Sequence, residues 1–595
     1  MAFVPTVHHE LSFPVLKPEP ATTNPFIASN ETSLRQSAHI TAEDTIESYL
    51  HDAPALPAQA EPDQSQQIFE RAPLPESSRY RQLAVTTLIV ISNLVQMIVN
   101  FAGIAGGRKF TESMGVKQTY ATWVAASYGL TQGTFVLMSG RLGDVYGHRK
   151  MLLGGGAWLV LCSFVGAFVH TNFFAFVTMR ALAGVGGACI MPNAVAMIAI
   201  TNPPGRVRNL SLGFFAASAP LGGYFSALFL GAFMEHTHWR WFFTFVCVVS
   251  VHRWFPGGIQ LTKIRACLGA LLFIPLWLLS RNQATSSQNE KIDWLGAALG
   301  TSSLILFNFV WNQAPSVGWS APYEIALLVL SVILFGLFII WEHRTSHPIM
   351  PPSIFKAPSF AILVLVILLD YMTVGTVLWY QLLWLQDVWG WSTLQFAIGW
   401  TPFVICGTFA ACLAAWLIPR LAAQWILALG TITVMVSTVL IATIPLKQSY
   451  WAQMFPSIVL FSFCPDFVYT AGQIIASNTV RRHQQGVAGS IIGTLNLYGN
   501  SLGLGFASTV EVQVAKTSKS NITGYRAALY FGVAISAIAL LLDVAFVRRV
   551  KDEREGWEEG DEDGEAIELT QAATTGAQVS RLEAGQGSSV VQRVE

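Results

Sequence analysis

The stretch Gly140-Arg141-Leu142-Gly143-Asp144-Val145-Tyr146-Gly147-His148-Arg149-Lys150 joins two apolar runs of the chain, at 119–139 and 151–169. Each run has about the 20 mostly apolar residues that a helix needs to cross a membrane. A Gly-x-x-x-Asp-x-x-Gly-x-Arg-Lys string between two such runs predicts a tight turn between closely packed helices, rather than an ordinary basic loop. Five residues of the stretch carry this prediction: Gly140, Asp144, Gly147, Arg149 and Lys150.

The composition of the whole chain is that of a membrane protein. Of its 595 residues, 52% are hydrophobic and only 12% are charged, whereas soluble domains carry about 25% charged residues. The formal net charge is zero, so no electrostatic preference for nucleic acid is expected. The seven cysteines form no Cys-x-x-Cys motif and no Cys/His cluster, so neither a zinc site nor a disulfide framework is indicated, and no cofactor is expected.

Apolar runs of similar length recur along the chain and predict an all-α polytopic membrane protein with about 14 spans. Besides 119–139 and 151–169, they lie at 83–105, 172–198, 209–232, 294–312, 322–342, 359–383, 394–416, 422–444, 453–476, 485–510 and 526–547, with one more between 241 and 280. Residues 1–80 are polar and rich in proline, and residues 549–595 are acidic. Each of these ends is predicted to be a disordered cytosolic tail.

The distribution of Lys and Arg predicts the orientation of the chain. Loops on the side of the 140–150 stretch carry more of these residues than loops on the other side, and short basic loops stay in the cytosol. Both tails are therefore expected to be cytosolic. The sequence Asn521-Ile522-Thr523 then lies outside, where Asn521 is a predicted glycosylation site.

The sixth apolar run is interrupted. It begins at 239–246 and resumes at 266–280, but charged residues and Pro256-Gly257-Gly258 lie between, and these do not belong in lipid. One hypothesis is that residues 247–265 are a translated, unspliced intron or a gene-model error, since joining the flanking runs restores one full span. The alternative is a genuine re-entrant loop.

The 140–150 stretch resembles the signature loop of the major facilitator superfamily. More narrowly, residues 80–548 resemble the fungal fourteen-span drug:proton antiporter branch, near its aminotriazole/boron exporters and low-affinity ammonium transporters. The resemblance implies that the acidic and basic residues of the loop form a gate latch that differs between inward-open and outward-open states. That role falls here to Asp144 and Arg149.

The same resemblance implies the architecture. Two six-helix bundles are expected, an amino-terminal one at 81–281 and a carboxy-terminal one at 351–548, separated by two extra spans at 282–350. The solute site is expected near the middle of the membrane, between the bundles.

Two further motifs match the family. Arg180 matches the intramembrane arginine that is implicated in proton coupling, with a snorkelling arginine at the end of a span as the alternative. Ala219-Pro220-Leu221-Gly222-Gly223 resembles the antiporter motif Gly-Pro-x-x-Gly-Gly, with Ala219 in place of the first glycine. The resemblance makes Pro220, Gly222 and Gly223 a hinge typical of exporters, and a simple packing kink is the alternative.

Polar residues within the apolar runs are the remaining candidates for proton or substrate binding. The first span holds Asn93, Gln96 and Asn100 but no carboxylate, and these amides are expected either to bind solute or to bridge helices. Asp370 and Asp466 lie in later runs. There a carboxyl group is expected to carry a proton, to bind substrate or to make a structural hydrogen bond.

These observations predict a transporter rather than an enzyme, since the sequence shows no nucleophile–base pair, metal cluster or phosphate loop. The predicted function is export of a small organic molecule, such as a drug, toxin or secondary metabolite, in exchange for protons. The alternative is uptake or facilitated transport of a small polar solute such as ammonium or borate. The protein is expected to work as a monomer in the lipid bilayer of the plasma membrane, with a vacuole or vesicle membrane as the alternative.

Overall fold

The computed structural model describes residues 77–169, 171–202, 206–247, 249–250, 265–266, 268–280, 292–346, 348–357, 359–418, 420–480 and 485–547. The predicted cytosolic tails lie outside these residues, except that 77–80 already belong to the first helix. Most of the 247–265 segment also lies outside them.

The first part of the described chain folds into seven helices. They are α1 (Ser77–Ser113), α2 (Ala121–Tyr146), α3 (His148–Phe168), α4 (Phe173–Thr201), α5 (Arg206–His236), α6 (Arg240–Cys247) and α7 (Leu268–Leu279). A short 3-10 helix, Gln118–Tyr120, precedes α2. Between α6 and α7 the strands β1 (Val249–Ser250) and β2 (Arg265–Ala266) pair antiparallel.

The second part of the described chain contains ten helices. They are α8 (Trp294–Val317), α9 (Pro322–Glu342), α10 (Phe360–Leu383), α11 (Thr393–Gly399), α12 (Thr401–Leu417), α13 (Ala423–Ala442), α14 (Met454–Phe461), α15 (Cys464–Thr479), α16 (Gln485–Ser518) and α17 (Asn521–Phe546). A 3-10 helix, Pro352–Lys356, precedes α10, and a π-helical turn, Trp384–Val388, follows it.

Two of the predicted spans are broken in the middle. The run at 394–416 divides into α11 and α12, and the run at 453–476 divides into α14 and α15. A proline, Pro402 or Pro465, stands in the first turn of the second helix of each pair. Proline has no N–H to donate to the preceding turn, so the helix ends before it and restarts with it.

The predicted all-α membrane architecture is confirmed, but the count of fourteen spans is not. Eleven helical stretches of the described residues are long and apolar enough to cross a membrane, where α11 with α12 and α14 with α15 each count as one stretch. Neither α2 nor α16 is among them, because both carry many glycines and hydroxyl or amide side chains. Helices α6 and α7, with 8 and 12 residues, are each too short to span alone.

The helices pack as two bundles. In the amino-terminal bundle (α1 to α7), α1 packs on α5, and α4 packs on both α2 and α3. In the carboxy-terminal bundle (α10 to α17), α10 packs on α16 and α17, and α13 packs on α15 and α17. The bundles meet along two seams, where α2 contacts α16 and where α5 contacts α11 and α12.

The helices α8 and α9 form an antiparallel pair outside these bundles. Helix α8 packs on α9 and also on α2 and α16, so it covers one of the two seams. Helix α9 packs mainly on α8 and leaves most of its apolar surface exposed, as expected of a helix that faces lipid.

Candidate functional site

The predicted signature loop forms the turn between α2 and α3. Gly147 adopts φ 100°, a left-handed conformation in which a side chain would be strained, and its N–H donates to Gly143 O at 2.8 Å. A Cβ on Gly143 would lie within 1.9 Å of Asn193 Oδ1 on α4. Glycine at both positions therefore lets the turn close tightly against α4. The end of the molecule that holds this loop is called the loop end below, and the other end the opposite end.

The charged residues of the loop contact different partners. His148 lies 3.5 Å from Asp144 through Nε2 and 2.9 Å from Asn193 Oδ1 through Nδ1. Arg149 donates to Ser280 Oγ at 2.7 Å and to the carbonyl of Trp277 at the end of α7. Lys150 is exposed. Arg149 thus ties the loop to its own bundle, while Asp144 stands at the mouth of the cavity described next.

A cavity of about 810 Å³ lies between the two bundles. At the loop end it is lined by Gly140, Arg141, Asp144 and His148. Its walls further in are mainly apolar and aromatic, with a few amides and hydroxyls. The larger side chains among them are Phe101, Tyr371, Trp379, Phe403, Phe461 and Tyr469.

Four of the predicted proton, substrate or hinge residues line this cavity: Asn93, Asn100, Pro220 and Asp466. They come from α1, α5 and α15, so the fold brings together residues that are far apart in the sequence. Gln96, Arg180 and Asp370 do not line it.

Asp466 is the acidic residue of the cavity wall away from the loop end. It lies in the first turn of α15, about halfway along the broken span formed by α14 and α15. Tyr371 lines the cavity beside it, and the Tyr371 hydroxyl donates to Pro465 O at 3.0 Å. Within the described part of the chain its carboxyl group makes no hydrogen bond or ion pair. A carboxyl group in this position is available to a proton or to a cationic group of a ligand.

Asp370 is buried in the carboxy-terminal bundle instead. Its Oδ2 accepts from Thr431 Oγ1 at 2.8 Å, and its Oδ1 has no hydrogen-bond partner in the described residues. A second buried carboxyl, Asp543 on α17, packs in the same bundle, and neither of its oxygens has a partner there. Sequence reasoning missed Asp543 because it lies four residues from the predicted end of its span.

Arg180 is 3% exposed and binds three backbone carbonyls. Its Nε donates to Val124 O at 2.8 Å on α2, and its terminal nitrogens donate to Val99 O at 3.2 Å and Asn100 O at 3.1 Å on α1. The guanidinium group also lies 5.9 Å from the ring of Tyr128. Because it points into the bundle and not to an interface, Arg180 clamps α1, α2 and α4 together.

The amides of α1 form a buried network. Asn93 Nδ2 donates to Ser218 Oγ at 2.7 Å on α5, and Gln96 Nε2 donates to Asn93 Oδ1 at 2.8 Å. Gln132 Nε2 on α2 donates in turn to Gln96 Oε1 at 2.7 Å. The network therefore bridges three helices, and at Asn93 it also reaches the cavity wall.

The predicted hinge packs tightly on α1. A Cβ on Gly222 would lie 2.6 Å from Met97 Cβ, and one on Gly223 would lie 3.1 Å from the ring of Phe101. Pro220 sits within α5 and faces Gly407 of α12 across the other seam. The small residues therefore allow close helix contact, and the proline lies where the two bundles meet.

The opposite end of the cavity is closed by contacts between the bundles. Arg108 at the end of α1 forms an ion pair of 2.8 Å with Asp387, which follows α10 and also accepts from the hydroxyl of Tyr525. Ser392 Oγ donates to Glu235 Oε1 at 2.6 Å between the start of α11 and the end of α5. The cavity therefore reaches the loop end and is shut at the opposite end.

Two other predicted features lie near the opposite end. Asn521 is the first residue of α17 and is exposed there, next to its helix cap Ser520. Trp379 and Tyr380 are adjacent on α10, and only Trp379 lines the cavity, while Tyr380 donates to Glu511 Oε2 at 2.6 Å inside the carboxy-terminal bundle.

Comparison with known proteins agrees with this architecture. The family model of the Major Facilitator Superfamily matches residues 86–252 and 360–581. The chain is 32% identical over 426 residues to the low affinity ammonium transporter of Saccharomyces cerevisiae, which covers 71% of the chain and 80% of that protein. It is 30% identical over 435 residues to the efflux pump terJ of Aspergillus terreus, which covers 73% of the chain and 81% of the pump.

The fold is also similar to that of solved transporters. A crystal structure of a POT family transporter, in complex with a thioalcohol-conjugated peptide, superposes with a TM-score of 0.57 at 13% identity. The match covers 78% of this chain and 96% of the other. The family match, the relatives and the two bundles around a central cavity all agree, and the chain is a member of the Major Facilitator Superfamily of transporters.

Proposed function

We propose that this transporter exports a small organic molecule, such as a drug, toxin or secondary metabolite, in exchange for protons. It would do so in the plasma membrane, as a monomer of the fungal fourteen-span antiporter branch, with the loop end in the cytosol. The basic residues around the 140–150 loop support this orientation. The cavity of this structure would then be open to the cytosol, the side from which an exporter loads its substrate.

The size and lining of the cavity carry the proposal. Pockets for drug-sized ligands have volumes of about 300–1,000 Å³ and mostly apolar walls with a few polar groups. The cavity here, of about 810 Å³ and with aromatic walls and a few amides, falls in this range. An ammonium ion, by contrast, is about as large as a water molecule, of about 30 Å³, and would occupy only a small part of such a cavity.

Asp466 supplies the site for proton exchange in this proposal. Because its carboxyl group faces the cavity without a partner among the described residues, a proton and a substrate can compete for the same position. Protonation from the outside would release the substrate, and loss of the proton to the cytosol would restore the site. In this proposal Asp144 and Arg149 form the latch at the loop end. Pro220, Gly222 and Gly223 form the hinge.

Uptake or facilitated transport of a small polar solute is the second candidate. One observation favours it, namely the 32% identity to a low affinity ammonium transporter. The efflux pump terJ, at 30% identity over a similar share of the chain, favours export. The relatives therefore leave the direction open, and the cavity volume favours the larger solute.

A flux assay in transporter-deficient yeast tests the proposal. Cells that express the full chain are loaded with a panel of organic compounds, or are given methylammonium or borate outside, with and without a proton uncoupler. We expect loss of at least one organic compound that the uncoupler abolishes. Entry of methylammonium or borate that the uncoupler does not affect, without export of any organic compound, would refute export.

Asp466→Asn is the informative variant, since asparagine keeps the size of the side chain and removes its titration. It should abolish the uncoupler-sensitive export. Asp543→Asn is the matched control, because it makes the same change at a buried carboxyl that does not line the cavity. Equal loss of export in both variants would show that Asp466 has no special part in the exchange.

A further inference from the structure

Helix α8 lies where the two bundles meet, and its contacts with them are unequal. It packs against both α2 of the amino-terminal bundle and α16 of the carboxy-terminal bundle. If the bundles move apart at the opposite end, α8 has to part from one of them. Its hydrogen bonds show which one.

The contacts between α8 and α16 involve residues 304–312, in the middle of α8. Tyr498 donates to Leu304 O at 3.0 Å, and Asn312 Nδ2 donates to Ser501 O at 3.2 Å. Next to Asn312, the ring of Trp311 stacks on that of Phe506 at a centroid distance of 3.7 Å.

The contacts of α8 with α2 and the 3-10 helix before it lie toward the opposite end, where the ring of Trp123 also packs on that of Phe309 at a centroid distance of 5.0 Å. Trp123 Nε1 donates to Gln313 Oε1 at 2.6 Å, and Ser316 Oγ donates to Thr119 O at 3.0 Å. Both bonds come from the last two turns of α8. The first reaches the first turn of α2, the second reaches the 3-10 helix Gln118–Tyr120 that precedes α2, and both are only partly buried.

Ser501 adds a contact that can change partner. Its hydroxyl lies 3.3 Å from Ala126 O on α2 and 2.9 Å from Asn308 Oδ1 on α8. Both atoms are acceptors, and a hydroxyl has one proton to donate. If α2 leaves, the proton can still bond to Asn308, so separation of α2 from α16 leaves no unsatisfied hydroxyl at this point.

We propose that α8 moves with the carboxy-terminal bundle, and that its bonds through Gln313 to α2 and through Ser316 to the 3-10 helix before α2 are part of the gate at the opposite end. This inference rests on the proposed alternating access, and it extends the gate beyond the Arg108–Asp387 pair to one of the two extra helices.

Hydration explains why the bonds to α2 are the ones that break. When the opposite end opens, Trp123, Gln313, Thr119 and Ser316 meet water, which replaces the lost hydrogen bonds at little net cost. Leu304, which accepts from Tyr498 of α16, lies more than two turns of α8 further from the opposite end than Gln313 does. Asn312, which donates to Ser501 O of α16, is fully buried, so water does not readily replace these bonds. Breaking those would leave buried polar groups without partners.

Cysteine pairs on either side of α8 test the proposal. Thr119→Cys with Ser316→Cys ties α8 to the amino-terminal bundle, and Asn308→Cys with Ser501→Cys ties it to the carboxy-terminal bundle. Both pairs are placed in a full chain whose seven native cysteines are replaced. Ile104→Cys in the cavity wall is added to each as a reporter. Whole cells are oxidised with copper phenanthroline and then treated from outside with a membrane-impermeant maleimide.

The expected result is asymmetric. Oxidation of the 119–316 pair should reduce outside labelling of the reporter at least tenfold, and dithiothreitol should restore it. Oxidation of the 308–501 pair should leave labelling within twofold of the reduced protein. Each variant serves as its own control, since the reduced and oxidised forms have the same sequence.

Three results would overturn the inference. The reverse pattern would mean that α8 moves with the amino-terminal bundle. Unchanged labelling with the 119–316 disulfide shown to be formed would mean that this contact is not part of a gate. Absence of outside labelling in the reduced protein would refute alternating access itself, and this distinguishes failure of the proposed function from failure of the role given to α8.

Discussion

At the seam between α2 and α16, an added methyl group should be tolerated at Gly129 but not at Gly133, one turn further along α2. A Cβ on Gly133 would lie 2.6 Å from Tyr498 N and 3.0 Å from Tyr498 Cα. A Cβ on Gly129 would meet Leu497 O at 3.5 Å, which is ordinary van der Waals contact. Gly133→Ala is therefore the perturbation, and Gly129→Ala is its matched control on the same face of α2.

The magnitude follows from the contact distances. Ordinary contact begins at 3.4 Å, so the alanine at 133 requires the two backbones to separate by roughly 0.8 Å, and overpacking of this kind costs about 1–3 kcal/mol. The nearest atoms belong to the backbone of Tyr498, so shortening that side chain cannot relieve the clash. Each substitution of glycine by alanine also stabilises the helix by a similar amount through helix propensity. This contribution cancels when the two variants are compared.

Thermal unfolding of the full chain in detergent measures the difference. Gly133→Ala should melt a few degrees below the wild type, and Gly129→Ala at or slightly above it. Equal melting temperatures, or a lower one for Gly129→Ala, would refute the close approach of α2 to α16 and with it the geometry of the seam that α8 covers.

Three other predictions concern single features. Arg180→Lys should lower the melting temperature more than Arg180→Met, because lysine keeps a buried charge while losing most of the three carbonyl bonds; the opposite order would contradict the structural role of Arg180. Deglycosylation should shift the mobility of the chain from a yeast host, and Asn521→Gln should remove that shift; a shift that persists in the variant would place a glycan elsewhere. Sequencing of the transcript should give a major message without codons 247–265, and a major message that contains them would refute the intron hypothesis.

Much of the fold could be predicted from hydropathy and from the positions of glycines. Apolar runs located the long helices, and the glycines of the 140–150 stretch predicted the tight turn that Gly147 makes at φ 100°. The breaks at Trp400 and at 462–463 were missed, because the apolar runs continue through them and only the prolines mark the change. Composition located the helices in the sequence but did not divide them at these points.

The site was harder to predict, because membrane helices are apolar on every side and their sequence does not show which face points inward. Asp370 and Asp466 looked alike in sequence, yet one is buried within a bundle and the other faces the cavity. Arg108 lies beyond the predicted first span at 83–105, but the structure places it within α1, where it pairs with Asp387. Such pairs depend on how the bundles meet, which a single sequence does not encode locally.

Proton-driven export through the central cavity is tested most directly in proteoliposomes. Purified full-length chain is reconstituted, loaded with an organic compound identified in the yeast panel, and given an imposed pH gradient. We expect the compound to move against the proton flow and this movement to stop when the gradient is collapsed. The movement should be lost in Asp466→Asn and retained in Asp543→Asn. Flux that is independent of the gradient, or that survives Asp466→Asn unchanged, would contradict proton-driven export.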